Sequence, residues 1–459
     1  MKTLLKGGKV ISGSGAFSAD VMIENEKITQ VAKELDGAGA DVLDVSGMLL
    51  FPGFIDAHTH FDLHVAGTVT ADDFESGTRS AVCGGTTTVI DFATAYKGET
   101  LCRGFDNWMA KAKGKSFCDY GFHMSITDWN DSIRRELSSM TERGITSYKL
   151  YMTYDTMMVG DGAIYEILKA LGSEGAFAGI HCEHAESIDS MRREFAEAGR
   201  LGVSSHPETR PAACEAEAVH RLLFLAKLAK APVMIVHLTC EEALLEVEAA
   251  RVHGQTVFAE TCPQYLLLDD SVYYEDGFGG ARYVIAPPLR KKSDCKALWG
   301  AISRRAIQTV CTDHCSFTQK QKELGLHDFR SIPGGMPGVE TRGILMFSEG
   351  VQKGRITLSD MCRVLCENPA RLYGLSERKG YIREGADADI VIIDPAAEGK
   401  ISAATHHSAC DYSPFEGLVT QGLIRRVLLR GAAVSENGQP CGDPNGEYLS
   451  RSRADFSVV

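Results

Sequence analysis

The chain has 459 residues, 44% hydrophobic and 24% charged, the make-up of a soluble globular protein with room for one large and one small domain. Its 48 basic residues against 61 acidic ones leave a net charge of -13, which argues against a polyanion, and therefore against nucleic acid, as the main partner. No apolar run reaches the roughly eighteen residues of a membrane span, and Met1 to Gly15 shows neither a sustained apolar stretch nor a small-residue cleavage site. A cytoplasmic protein with no membrane partner is expected.

In chain order, residues 3 to about 50 read as short strands joined by Gly and Asn turns, with the period-two alternation of hairpins. From about residue 53 the pattern changes to alternating strand and helix. Eight β-type runs follow: Phe54 to His60, Thr86 to Phe92, Tyr120 to Thr127, Ile145 to Met152, Phe177 to Glu183, Val233 to Leu238, Thr256 to Thr261 and Ile307 to Asp313. The segments between them are helix-like, such as GAIYEILKALGSEG, which ends on a glycine, and PAACEAEAVHRLLFLAKLAK, with Pro211 suited to a first turn. Two further helix-like runs, Val339 to Lys353 and Thr357 to Tyr373, precede a return to β patterning in KGYIREGADADIVIID and GLIRRVLLRGAAV. The fold class expected is α/β: a (β/α)8 TIM-like barrel over 51–375, with a small β-sandwich domain assembled from both chain ends, 1–50 and 376–459. The absence of G-x-G-x-x-G after the first strand of the repeat weakens an open dinucleotide-binding sheet.

In such a barrel the chemistry sits where strands end at their C-terminal side. The first strand ends in DAHTH, and alternation sends His58 and His60 to one side, together with Asp56. Other ends carry Lys149 on the fourth strand, His181 on the fifth, His237 on the sixth and Asp313 on the eighth. Each alone has an ordinary explanation, as a core histidine, a helix cap or an ion pair. Together, four histidines and an aspartate exceed what one tetrahedral zinc needs and suit two divalent metal ions. Lys149 would be repelled there as an ammonium. As a neutral amine it can take up carbon dioxide and become an anionic carbamate with two oxygens to offer. The fourteen cysteines include no C-x-x-C pair; Cys311/Cys315 and Cys362/Cys366 stand four apart, and most thiols are expected to be reduced.

Over nearly its whole length the chain resembles the dihydropyrimidinase/hydantoinase family of cyclic amidohydrolases, closest in character to D-phenylhydantoinase-like members. The resemblance rests on DAHTH, GGTTTVIDF, SYKLYMTY, HCEHAE, IVHLTC, ETCPQYLLL, APPLR, CTDHCSF and PGGMPGVE. It implies a homotetramer with a binuclear zinc site: His58, His60 and Asp313 on one ion, His181 and His237 on the other, and carboxylated Lys149 bridging. It also implies hydrolysis of the ring amide of a hydantoin or dihydropyrimidine, with Asp313 moving the proton and Tyr154 as the substrate tyrosine. Two departures bear on substrate: Ala286 and Gly334 stand where the family usually has Ser and Asn, although the contacts there are chiefly through main-chain groups. Allantoinase and other cyclic-ureide hydrolases share the ligand set. Dihydroorotase-like members carry an Arg where this chain has Asp62, and non-catalytic scaffold relatives lack ligands that are all present here. The loops after strands one and four, with Leu63, Val65, Met157, Met158 and Val159, are expected to form an apolar lid over a bulky substituent.

Overall fold

Eight parallel strands occur in the order the hydrophobic runs predict: Phe54–Thr59, Thr86–Thr94, Asp119–Ser125, Ser147–Tyr151, Phe177–His181, Val233–Ile235, Val257–Thr261 and Thr309–Val310. Each pairs with its neighbour in sequence, so the computed structural model, which describes residues 2–458, holds a TIM-like barrel. The sixth and eighth strands are shorter than their apolar runs. Beyond them His237 and Asp313 turn into the left-handed region, at φ 38° and 51°, and leave the ladder. Both are residues that the strand ends deliver to the rim.

The ring closes between the first and last strands through a few specific bonds. The His60 amide donates to the His314 carbonyl at 2.8 Å. The Thr312 hydroxyl donates to Asp56 Oδ2 at 2.7 Å, and the Thr312 amide to Asp56 Oδ1 at 3.2 Å. Asp56 is therefore a structural tie and not a companion of the histidines. Beneath it the buried Arg342 guanidinium donates to the carbonyls of Ile55 and Val310, both at 2.8 Å, and lies 3.7 Å from Asp56 Oδ2.

The outer helices follow the sequence signals closely. Asp161–Glu174 stops at Gly175, whose φ of 70° suits a residue without a Cβ. Ala212–Ala229 starts directly after Pro211, which acts as the cap rather than in the first turn. The two late helical runs are each interrupted by a wide π turn, at Met346–Gln352 and Arg363–Glu367.

Strands from both chain ends form one nine-stranded mixed sheet. Its seam is the antiparallel pairing of Ile390–Lys400 with Leu49–Pro52, the strand that leads directly into the barrel. Alternate residues including Leu5, Val10, Val21, Leu50, Ile390 and Ile392 make its core. The sheet is fastened to the barrel by buried ion pairs: Lys379 Nζ lies 2.6 Å from Asp119, 2.8 Å from Asp389 and 2.9 Å from Asp387, and Arg430 also pairs with Asp119. From Gly446 the chain leaves this sheet and lies against the barrel, where Leu449 joins Ile55, Phe177 and Met234 in a shared apolar cluster.

Arg342→Met is expected to lower stability by about 3–5 kcal/mol, because Asp56 would remain buried without its cation. Urea unfolding followed by tryptophan fluorescence checks this, and an unchanged midpoint would assign the closure to the Thr312 bonds alone.

Candidate functional site

At the C-terminal ends of the barrel strands lies a cavity of about 760 Å³. The candidate ligands and substrate residues read from the sequence line it: His58, His60, Lys149, His181, His237 and Asp313, and further out Tyr154, Ala286 and Gly334. Residues more than two hundred positions apart thus share one space because each ends, or follows, a different strand.

The donor atoms of His58, His60 and Asp313 all lie within 4.8 Å of one another. Asp313 Oδ1 is 3.1 Å from His58 Nε2 and 3.0 Å from His60 Nε2. On the other side, the rings of His181 and His237 are 4.6 Å apart, centre to centre, and the His237 ring is 5.4 Å from that of His58. Lys149 is buried between Phe92 and Tyr151, its Nζ 5.1 and 5.2 Å from their ring centres. Among the described residues no carboxylate forms an ion pair with it.

Two carboxylates that the sequence reading passed over decide which nitrogens are free. His58 Nδ1 lies 2.6 Å from Glu260 Oε1, and His181 Nε2 lies 2.8 Å from Glu183 Oε2. In each case the nitrogen facing the carboxylate carries a proton, and the ring's second nitrogen points away from that carboxylate; in His58 it meets Asp313. This is the pattern of a histidine oriented for a metal. His237 Nδ1 is moreover buried with no hydrogen-bond partner, an expensive condition for a polar nitrogen. Glu183 is itself held by Arg210 at 2.5 Å. A signal for Glu183 was present in its place two residues after His181, at the end of the same β-type run in the sequence; Glu260 gives none beyond its position near the end of the seventh strand.

Burial disfavours the charged form throughout this group and lowers the pKa of His60, His181 and His237, the last well below the usual range. His58 is the exception. Burial acts against its imidazolium too, but the carboxylates of Glu260 and Asp313 outweigh it and raise the pKa to about 9. Burial pushes the Lys149 ammonium down to about 8. For Asp313 burial favours the acid, yet His58 and His60 overcome it and hold the carboxyl well below its usual range. By contrast His123, on the third strand, spends both ring nitrogens on Ser147 Oγ at 2.6 Å and the Ala57 carbonyl at 2.9 Å. It is a satisfied core histidine.

The outer wall combines backbone and apolar side chains. The loop after strand one is a tight hairpin, His64–Val65 against Thr68–Val69, turning at Ala66 and Gly67 with φ 52° and 74°. Of the five apolar loop residues, Leu63, Val65 and Met157 line the cavity; Val159 is instead buried in the barrel core, and Met158 stands outside the lining. Opposite them, a Cβ placed on Gly334 would meet only the Cα of Ile285, at 4.0 Å, so the missing side chain leaves open room.

A model of the amidohydrolase family matches residues 49–434. The chain is 44% identical over 468 residues to a D-hydantoinase of Geobacillus stearothermophilus, covering 100% of this chain and 99% of that protein. It is 39% identical over 456 residues to a D-phenylhydantoinase of Escherichia coli O1:K1, covering 98% of each. The crystal structure of dihydropyrimidinase from Brevibacillus agri NCHU1002 superposes with a TM-score of 0.98 at 40% identity, over 99% of this chain and 100% of that one.

One further residue shapes the wall from behind. The buried Lys322 ammonium donates to the carbonyls of Val284 at 3.0 Å, Pro333 at 2.7 Å and Gly335 at 2.7 Å. It thereby joins the two segments that carry Ala286 and Gly334. Lys322→Met would leave the Pro333 and Gly335 carbonyls unmet, at a cost of about 1–3 kcal/mol each, while the Val284 carbonyl keeps the Gly335 amide at 2.9 Å. The expected result is a KM raised roughly tenfold or more with metal content unchanged; an unaltered KM would show that the wall holds without it.

Proposed function

From its place in the dihydropyrimidinase/D-hydantoinase family of amidohydrolases, to which this chain belongs, we propose that it opens the ring amide of a hydantoin or dihydropyrimidine, giving the N-carbamoyl amino acid. The observation that carries the reading is the convergence of four histidines, Lys149 and Asp313 on one cavity, with a buried His237 nitrogen that no protein group satisfies. These residues would hold two divalent cations such as zinc, His58, His60 and Asp313 one of them and His181 and His237 the other. Lys149, buried and without a carboxylate partner, would join them as a carbamate, which supplies an anionic ligand in place of an ammonium. When bound, such ions polarise a ring carbonyl and bring the pKa of a water close to neutral.

The chain's own groups then orient substrate and move protons. Asp313 is ionised and adjacent to both imidazoles of the first pair, so its carboxylate accepts the proton of the attacking water and returns it to the leaving ring nitrogen. The Tyr154 hydroxyl, on a residue at φ 71° and facing the cavity, donates to the oxyanion that develops at the carbonyl. Main-chain groups at Ala286 and Gly334 hold the ring amide. Because those contacts need no side chain, the departures from Ser and Asn are compatible with the same reaction.

A homotetramer belongs to the same reading. Phe224 and Leu228 on one helix, and Leu245 and Val252 on the next, are more than half exposed, an apolar surface that subunit association would cover. No described helix is long and apolar enough to cross a membrane, and the cysteines are free, which supports a cytoplasmic setting.

Lys149→Ala and Asp313→Asn should fail in different ways. The first is expected to lose much of its bound zinc, with partial recovery on adding short carboxylic acids. The second should keep most of its zinc while turnover falls by about 10²–10⁴-fold, since an amide accepts no proton. Metal analysis beside kinetics separates the two; full zinc in Lys149→Ala, or near-parent rates in Asp313→Asn, would remove the corresponding assignment.

The apolar wall bears on the substituent. Burying an aryl group against Leu63, Val65 and Met157 is worth about 1.5–3 kcal/mol, so 5-phenylhydantoin should exceed dihydrouracil in kcat/KM by about ten- to a hundredfold. Met157→Asp should lower the first strongly and the second little. A panel of 5-phenylhydantoin, dihydrouracil and allantoin tests this together with the overall reading, which turnover of none of them would overturn.

A further inference from the structure

Away from the cavity, three side chains of metal-binding type meet where the barrel touches the returning C-terminal segment. Cys83 is the last residue of the helix Phe74–Cys83, Glu340 lies in the loop before the helix Arg342–Leu345, and His407 lies ahead of the strand Val419–Leu429. Their Sγ, carboxylate oxygen and imidazole nitrogen all fall within 4.8 Å of one another. That span is about twice a zinc–ligand distance of roughly 2.0–2.3 Å, so a single ion reaches all three with little adjustment. None of the three lines the catalytic cavity.

The surroundings give a cation a sheltered and oriented set of donors. Cys83 is buried, and the side chains of Glu340 and His407 are only 12% and 14% exposed. Glu340 Oε1 faces His407 Nδ1 at 3.0 Å, while its Oε2 accepts from Ser80 Oγ at 2.7 Å and the His407 amide at 2.8 Å. The carboxylate is thereby fixed in place with one oxygen turned to the imidazole. On the far side of that ring, Nε2 stands 3.5 Å from Gln439 Oε1. An ion at Nδ1 leaves Nε2 to donate outward to Gln439, the second bond that commonly orients a ligating histidine. A thiol buried beside a carboxylate gains nothing by ionising alone; with a divalent ion present it is deprotonated outright.

We propose that Cys83, Glu340 and His407 form an additional metal site in each subunit, taking zinc or a similar thiolate-binding divalent cation with solvent in the fourth position. It fastens the end of the first barrel helix to the C-terminal segment. The loop it holds continues through Gly338 and Val339, whose amides donate to His314 Nδ1 at 3.1 and 3.2 Å, next to Asp313. The ion therefore braces the rear of the active site without entering it.

Cobalt(II) is the probe, because the catalytic set offers only nitrogen and oxygen donors. Full-length protein stripped of metal and reloaded with cobalt should show near-ultraviolet thiolate-to-cobalt absorption, and it should disappear in Cys83→Ser. His407→Gln, at a less buried position, should also lack it and should bind one equivalent of metal fewer than the parent by elemental analysis. A parent protein without the absorption, a band that persists in Cys83→Ser, or equal metal content in the parent and His407→Gln would each overturn the site.

Discussion

The seam between the first and eighth barrel strands is the constraint on which the active site depends. His58 and His60 end one of these strands and Asp313 follows the other, more than 250 positions later. They meet because the His60 amide bonds the His314 carbonyl and Thr312 bonds Asp56, with Arg342 below spanning the carbonyls of both strands. A shift of one residue in this register would send the histidines to the opposite face of the strand. The bonds cluster at the rim end of the seam, where the final strand is only two residues long and has little ladder of its own. Side-chain and guanidinium bonds replace what regular pairing does elsewhere in the ring.

Charge placement then follows from what the closed ring brings together. Glu260 and Asp313 flank His58 on its two nitrogens, and their combined field raises its pKa although it is fully buried. Without a divalent ion, a proton is the available positive charge at this position. The neighbouring histidines show the complementary state: burial keeps His60, His181 and His237 neutral, the form in which imidazole binds a metal. Glu183 is held negative, down to a pKa of about 2, because Arg210 and His181 outweigh its burial. It fixes the His181 ring while its charge is already answered by the arginine.

The strand–helix alternation and the polar residues at strand ends were legible because both obey simple periods. Eight apolar runs predict eight parallel strands, and His58, His60, Lys149, His181, His237 and Asp313 stand at the ends that the topology makes converge. What escaped the sequence depends on three-dimensional pairing. Glu260 looks like any strand carboxylate until His58 is seen across from it, and Asp56 shares the face of the histidines in pattern but is consumed by Thr312. His123 is a histidine on a barrel strand like the others, yet Ser147 and a backbone carbonyl satisfy it. Among the loop residues, apolar character alone could not separate Met157, which faces the cavity, from Val159, which the chain folds back into the core.

The two sides of the cavity are built differently. On one side the wall around Ala286 and Gly334 is main chain, and its shape is maintained from behind by the three carbonyl bonds of Lys322. A wall of main-chain groups offers contacts that do not depend on a serine or asparagine side chain. The other side is the hairpin carrying Leu63 and Val65. Its turn at Ala66 and Gly67 has the left-handed backbone that matches strand twist, and Gln321 bonds its second strand at the Val69 carbonyl and Thr68 hydroxyl. An apolar surface held this firmly loses little conformational freedom when a substituent packs on it, so its buried area converts more fully into affinity. The backbone wall and the barrel rim are built into the ring, whereas the short hairpin can vary without disturbing either.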